Sequence, residues 1–177
     1  SQSSSLETEP ASAAQSAVGA AGSPKPSPSA SVYQHEPVLA ALSPQALAAR
    51  ASAVALADTG CEGMARYLDV IAAVRTVADS VTEEQRQMLA PFGGPDNFPR
   101  AVAARIGADP RLAIYSVACG DEPQVLVAEM SQRIRNGEFE AVLLCGAEAA
   151  ATTRSAQRTG GSIDWSERVG GQCEDRG

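Results

Sequence analysis

The sequence predicts an α/β fold in which a mostly parallel sheet is covered by helices on both faces. Three apolar runs of strand length, at residues 70–77, 111–118 and 141–145, alternate with segments that carry helix start and stop signals. Each run is largely apolar instead of alternating with polar residues, which is typical of strands buried on both faces. A chain of 177 residues is long enough to form one such domain.

The first predicted helix is defined by its two ends. Ser43 supplies an N-cap, Pro44 occupies the first helical position, and Gly60 follows the end of this alanine-rich segment. Apolar side chains recur there at helical spacing, so we expect Leu47, Ala51, Val54 and Ala55 to share one face. Shorter helices are predicted over residues 83–89 and 97–107.

The strongest helical pattern begins at Pro123 and ends before Gly137. Val127, Met130 and Ile134 recur along it at intervals of three and four residues, so we expect them to form its buried face. This helix lies between the second and third apolar runs, as the crossover of a parallel sheet requires.

Composition divides the chain into three parts. Residues 1–42 are rich in serine, alanine and proline, and such segments bury too little apolar surface to offset the entropy lost on ordering. We expect disorder there, and the segment also lacks the basic start and apolar block of a secretory signal. Residues 43–150 carry the α/β pattern, whereas residues 151–177 are polar and glycine-rich and are expected to form a loop region.

The charge of the chain limits its partners. The net charge is −7 and the isoelectric point is near 4.7, which argues against nucleic acid and acidic membrane surfaces, because both are polyanions. No stretch approaches the ~20 apolar residues that a membrane-spanning helix requires. We therefore expect neither a nucleic-acid partner nor a membrane span.

The four cysteines and the single histidine do not form a metal-binding pattern. The cysteines are Cys61, Cys119, Cys145 and Cys173, and none of them forms a C-x-x-C pair. His35 lies in a polar stretch and is interpreted as a solvated loop residue, so no metal site is predicted. Two of the cysteines lie at the ends of apolar runs, which favours reduced thiols and a cytoplasmic protein.

Cys119 is the candidate nucleophile. It follows the second apolar run and precedes a turn that opens the helix at Pro123, so its sulfur is expected near unpaired N–H groups that favour a thiolate. Two carboxylates, Asp121 and Glu122, follow the thiol and oppose loss of its proton. In the alternative interpretation, Cys119 packs as a small buried apolar residue.

Four stretches of the sequence carry a family resemblance. They are residues 57–60 (ADTG) with the run at 71–74, residues 119–124 (CGDEPQ) with the helix that follows, residues 141–149 (AVLLCGAEA), and residues 164–167 (DWSE) with 174–177 (EDRG). In this order and spacing, residues 43–177 resemble the N-terminal half of the thiolase family, the acetyl-CoA acetyltransferases and their thiolase-like relatives. Thiolases follow the nucleophilic cysteine with small residues, whereas Gly120, Asp121 and Glu122 follow it here.

The resemblance implies a thiolase-like layered fold and an acyl-transfer activity. In this family the cysteine before the helix accepts an acyl group from coenzyme A as a thioester, and Cys119 occupies that position. The implied function is that of an acyl-CoA acyltransferase, with a coenzyme A thioester such as acetyl-CoA as substrate and no further cofactor. The family pairs its nucleophile-bearing halves, which implies a homodimer.

Two parts of the family pattern have no counterpart in the sequence. The central first strand is not found before Ser43, and the C-terminal half, which carries the histidine and second cysteine for proton transfer, is absent. The fold is therefore expected to be incomplete. The parent protein is expected to be an acetyl-CoA acetyltransferase, and this chain alone is expected to be inactive because His35 lies in the wrong segment to serve as the base.

Other interpretations remain open at this point. A non-catalytic thiolase-like module that binds acyl-CoA or lipid, or that acts as a partner subunit, accounts for the same pattern with Cys119 in a packing role. An α/β cysteine hydrolase shares the order of strand, cysteine and helix, but it needs a histidine within reach of the thiol.

Several side chains near the predicted sheet edge have two interpretations each. Arg154 and Arg158 are four residues apart and could bind the phosphates of coenzyme A, or they could form a solvated helix face. Glu148 is expected to form a structural contact near a strand end, with a catalytic role as the alternative. Trp165 is expected to anchor its loop, with stacking on an adenine as the alternative.

Overall fold

The computed structural model describes residues 42–177, and within them it forms an α/β unit with an all-parallel sheet. Two predictions therefore concern residues outside the described range: disorder in the N-terminal segment, and the lack of a first strand before Ser43. No helix within residues 42–177 has the length and apolar character to cross a membrane.

Five α-helices and four β-strands make up the described part. They are α1 (Pro44–Asp58), β1 (Val70–Ala73), α2 (Glu83–Leu89), α3 (Phe98–Ile106), β2 (Leu112–Tyr115), α4 (Glu122–Arg135), β3 (Val142–Cys145), α5 (Ala150–Thr159) and β4 (Glu174–Asp175). Short 3₁₀ turns at Met64–Tyr67 and Val77–Ser80 flank β1. The predicted alternation of strands and helices is confirmed, and the strands are shorter than the apolar runs that contain them.

The sheet has the strand order β3-β1-β2-β4, and every neighbouring pair is parallel. Val70 at the start of β1 pairs with Leu112 of β2 on one side and with Val142 of β3 on the other. Because the register is level across these three strands, they also end together, at Ala73, Tyr115 and Cys145. We call this side of the sheet the carboxyl edge.

The hydrophobic core lies on both faces of β1, whose four residues are fully buried. On one face Leu126 and Met130 of α4 pack against Val70, Ala72 and Ile114. The other face is covered by α1 and α3, where small residues dominate and let the helices lie close to the sheet. The buried small residues there are Ala48, Ala49, Ala73, Ala101 and Ala103.

The buried face of α1 differs from the predicted one. Val54 is exposed, whereas Gln45 and Ser52 lie buried together with the alanines at positions 48 and 49. Leu47 is buried as well, but alanine occurs all round this helix, so the position of Val54 did not mark the side that packs. The close approach of α3 selects small side chains, and Gln45 is accommodated because its amide donates to the carbonyl of Trp165 at 3.1 Å.

The buried face of α4 also differs in part from the predicted one. Met130 is buried as predicted, but its neighbours on the core face are Leu126 and Glu122, which precede it by four and eight residues. Val127 and Ile134 are 53% and 41% exposed, so their assignment to the core was wrong. Apolar residues recur along the helix at intervals of both three and four residues. Only the row at intervals of four, Glu122, Leu126 and Met130, is buried.

The polar tail contributes a helix and an edge strand. α5 spans Ala150–Thr159, and β4 adds Glu174 and Asp175 beside Ile114 and Tyr115 of β2. Two polar residues would not form a strand by their own propensity. Arg176 holds the strand in place, because its guanidinium donates to both carboxylate oxygens of Glu129 on α4, at 2.7 and 2.9 Å.

We predict that Leu126→Ala destabilises the protein by about 2–5 kcal/mol, because a fully buried leucine is replaced and a cavity is left. Val127→Ala is the matched control, with an expected change within about 0.5 kcal/mol because that side chain is exposed. Urea denaturation of both variants measures the difference. Equal destabilisation by the two substitutions would contradict the described helix face.

We predict that acid releases β4 from α4. The hydrogen bond from Arg176 lowers the pKa of Glu129 below its ordinary value of 4.5, so the pairing contributes stability above that value and loses it as the pH falls through the lowered pKa. Amide exchange at Arg176, whose N–H donates to the Tyr115 carbonyl at 3.0 Å, reports this release. Glu129→Gln should remove most of the pH dependence, and an unchanged profile in that variant would contradict the prediction.

Candidate functional site

The carboxyl edge positions Cys119 in the turn between β2 and α4. The strand ends at Tyr115 and the helix begins at Glu122, so the connection is short and keeps the cysteine beside the helix N-terminus. Cys119 is exposed, as a nucleophile requires, and the interpretation of Cys119 as a buried packing residue is wrong. Cys61, Cys119, Cys145 and Cys173 form no disulfide with one another within residues 42–177.

The thiol of Cys119 donates a hydrogen bond to a carboxylate. Its sulfur lies 2.8 Å from Oδ1 of Asp121, and this contact is the first cause that lowers the pKa of Asp121. Asp121 occupies the N-cap position of α4, yet its carboxylate accepts from the thiol and forms no capping bond to the helix. The charged group that contacts the sulfur is therefore a carboxylate.

The first turn of α4 does not offer the expected free N–H groups. Pro123 has no N–H, the N–H of Glu122 donates to the Cys119 carbonyl at 3.3 Å, and those of Gln124 and Val125 donate to the Asp121 carbonyl at 2.9 and 3.1 Å. The effect of this helix end on the sulfur is therefore limited to the helix dipole. Glu122 is buried on the core face of α4, and Asp121 is the carboxylate that contacts the thiol.

Arg154 and Arg158 lie on α5, and both are exposed. Neither forms an ion pair or a side-chain hydrogen bond with any residue in the 42–177 range. The structure brings them to the helix that follows β3 at the carboxyl edge, with no direct contact to Cys119. Their role in binding phosphates stays a prediction.

Glu148 and Trp165 have the structural roles that were expected of them. Oε1 of Glu148 accepts a hydrogen bond from the Val77 N–H at 2.7 Å, which ties the loop after β3 to the loop after β1. Trp165 is buried and lies edge-on to Phe92, with ring centroids 5.5 Å apart. His35 lies outside the described residues.

A second group of polar side chains at the carboxyl edge was missed in the sequence. The guanidinium of Arg75 lies 4.2 Å from the centre of the Tyr115 ring and forms an ion pair with Asp175 of β4. The Tyr115 hydroxyl donates to Asp79 at 2.5 Å and accepts from the Thr76 N–H at 3.2 Å. The one available signal was a charged residue, Arg75, inside the apolar run at residues 70–77.

These side chains line a cavity of about 450 Å³, which also borders Phe98 and the loop at Ser166–Arg168. Burial, followed by the hydrogen bond to Asp79, raises the pKa of Tyr115, so its hydroxyl stays protonated and acts as a donor. A second cavity of about 590 Å³ lies at the end of α1 and borders Cys61. Cys119 lines neither of these two cavities.

The other cysteines differ from Cys119 in their surroundings. Burial raises the pKa of the Cys145 thiol to about 12, which keeps it unreactive near neutral pH. Burial and the charge of Asp175 raise the pKa of Cys173 as well. Cys61 is exposed like Cys119 and is the natural control for it. Among residues 42–177, no group of three histidine, cysteine or acidic side chains could hold a metal ion.

We predict that Asp121→Asn increases the rate of Cys119 alkylation by iodoacetamide at pH 7 by about three- to tenfold, because it removes the charge that opposes thiolate formation. Peptide mapping after timed alkylation gives the rate, and Cys61 in the same sample should react unchanged. A slower reaction at Cys119 would show instead that Asp121 acts as its base.

Comparisons of this chain with protein-family models, with curated proteins and with solved structures found no match. The functional assignment therefore depends on the exposed thiol at the carboxyl edge and on the side chains around it.

Proposed function

We propose that this chain is a thiolase-like acyl-transfer module in which Cys119 accepts an acyl group from an acyl-coenzyme A thioester. The observation that carries the proposal is the exposed Cys119 sulfur in the turn between a parallel strand and the helix it leads into. Ligands of open parallel sheets bind outside the carboxyl ends of the strands, and this thiol lies there. The thiolase-like layering of the fold is part of the proposal.

The proposed step exchanges one thioester for another. The Cys119 sulfur attacks the thioester carbonyl, a carbon–sulfur bond to the protein forms, and the bond to the coenzyme A sulfur breaks. The proton leaves Cys119 and is taken up by the coenzyme A thiolate, so free coenzyme A is released. Asp121 lies 2.8 Å from the sulfur on the path of that proton.

The remaining parts of the proposal follow from the same resemblance. Arg154 and Arg158 are proposed to contact the phosphates of coenzyme A, since both guanidinium groups are exposed on the helix after β3. Homodimerisation is proposed for the half that carries the nucleophile, and a cytoplasmic location is proposed from the reduced thiols. Condensation of two acyl groups would need a base beyond the residues described around Cys119.

A non-catalytic module that binds acyl-CoA, lipid or a partner subunit is the second candidate. It is favoured by two observations on the same residue: Cys119 lines neither described cavity, and the charged group that contacts its sulfur is a carboxylate. Both observations disfavour a reactive thiol. In this case coenzyme A would bind without covalent transfer.

We predict that incubation with acetyl-CoA yields one acetyl adduct on the wild-type chain and on Cys61→Ser, and none on Cys119→Ser. Intact mass and peptide mapping locate the adduct, and release by hydroxylamine identifies it as a thioester. Cys61 is exposed as well, so it controls for transfer to any exposed thiol. Absence of an adduct, with coenzyme A binding retained in Cys119→Ser, would support the non-catalytic module; labelling of Cys61 alone would contradict both assignments of this site.

A further inference from the structure

A buried arginine stands at the inner part of the carboxyl edge. The side chain of Arg75 is 7% exposed, its Nε donates to the Ser116 carbonyl at 3.0 Å, and its guanidinium lies over the Tyr115 ring. These contacts fix the plane of the guanidinium. A buried cation also needs a counter-charge, because removing one partner of a buried pair leaves an uncompensated charge in the interior.

The counter-charge of Arg75 comes from Asp175, an exposed residue on the two-residue strand β4. Asp175 pairs with Arg75 through Nη2, yet its own side chain is 59% exposed. It belongs to β4, which has two residues and pairs with β2 alone. Nη1 of Arg75 forms no hydrogen bond with the part of the chain that the structure describes. A carboxylate from solution could therefore occupy the position of Asp175 and use both Nη atoms as a fork.

The other acidic side chains around the cavity have partners of their own. Asp79 pairs with Arg86 at 3.0 Å and accepts from Tyr115, and Glu167 pairs with Arg105 at 2.7 Å. Asp96 accepts from two backbone N–H groups, which lower its pKa. Asp79 and Glu167 are thus each paired with a guanidinium group, whereas Asp96 keeps its negative charge, which backbone N–H groups and the charge of Arg168 stabilise.

A second guanidinium borders the same cavity. Arg168 forms no ion pair within residues 42–177, although its charge acts on Asp96. The cavity volume of about 450 Å³ falls within the range of small-molecule sites. Arg86 lines the cavity as well, but it is paired with Asp79, so Arg75 and Arg168 are the two guanidinium groups that a ligand would engage. Two such groups suit a ligand with two carboxylates better than a ligand with one.

We propose that this cavity binds a small organic dicarboxylate, with one carboxylate of the ligand replacing Asp175 on Arg75 and the other facing Arg168. Asp175 then acts as an internal competitor that holds the arginine while the site is empty. The proposed site is separate from Cys119, so it stands or fails independently of the acyl-transfer proposal.

Titration with succinate, followed by calorimetry on the full chain, tests the proposal. We expect Asp175→Asn to bind succinate about tenfold more tightly than wild type, because the competing carboxylate is removed. Glu174→Gln, on the same strand but outside the cavity lining, is the matched control and should leave the affinity unchanged. Equal affinity in Asp175→Asn and wild type would overturn the proposal.

Further variants and ligands separate the site from non-specific anion binding. Arg75→Gln should abolish binding, and Arg168→Gln should weaken it several-fold; the latter keeps the proposal testable if the first variant fails to fold, because Arg168 is exposed. Succinamide, the neutral analogue, should not bind. Binding of sulfate or succinamide as tight as that of succinate would contradict a dicarboxylate site, and Cys119→Ser should bind succinate like wild type.

Discussion

The level parallel pairing of β1 with both of its neighbours is the constraint on which the rest of the structure depends. Val70 lies opposite Leu112 and Val142, so β1, β2 and β3 end at the same height. Polar or charged residues occur within a few positions after each of these strands, and the pairing brings them to the same edge of the sheet although they are far apart in the sequence. Both proposed sites, around Cys119 and around Arg75, result from this register.

The two proposed sites use the carboxyl edge in different ways. Cys119 lies outside in an exposed turn, where its sulfur is 2.8 Å from the carboxylate of Asp121. Arg75 lies inside, stacked on Tyr115 and paired with Asp175. The outer position suits a large substrate such as a coenzyme A thioester, which cannot enter a small cavity. The inner position suits a small ligand whose charge is desolvated on binding.

Local signals predicted the helices well where the capping chemistry is strong. Thr82 and Gln85 form a reciprocal capping box at the start of α2, and Asn97 and Gly107 define both ends of α3. The buried faces of α1 and α4 were harder to predict, because alanine is compatible with every face of a helix and two apolar spacings coexist in α4. Contact with the rest of the fold determines which face of each helix is buried.

The missed features share a physical cause. β4 exists because Arg176 and the Tyr115 carbonyl hold it, and neither contact can be read from two acidic residues. Apart from the place of Arg75 inside an apolar run, the sequence gives no sign that this residue is buried. Its contacts with the Tyr115 ring and the Asp175 carboxylate depend on the fold. Cys119 was found because a cysteine between a strand and a helix has a local signature, whereas its hydrogen bond to Asp121 depends on the geometry of the turn.

A crystal structure of the chain after exposure to acetyl-CoA is the most direct test of the central claim. The account predicts continuous density from the Cys119 sulfur to an acetyl carbonyl, with the thiol no longer donating to Asp121. An unmodified Cys119 with an acetyl group on another side chain would contradict it.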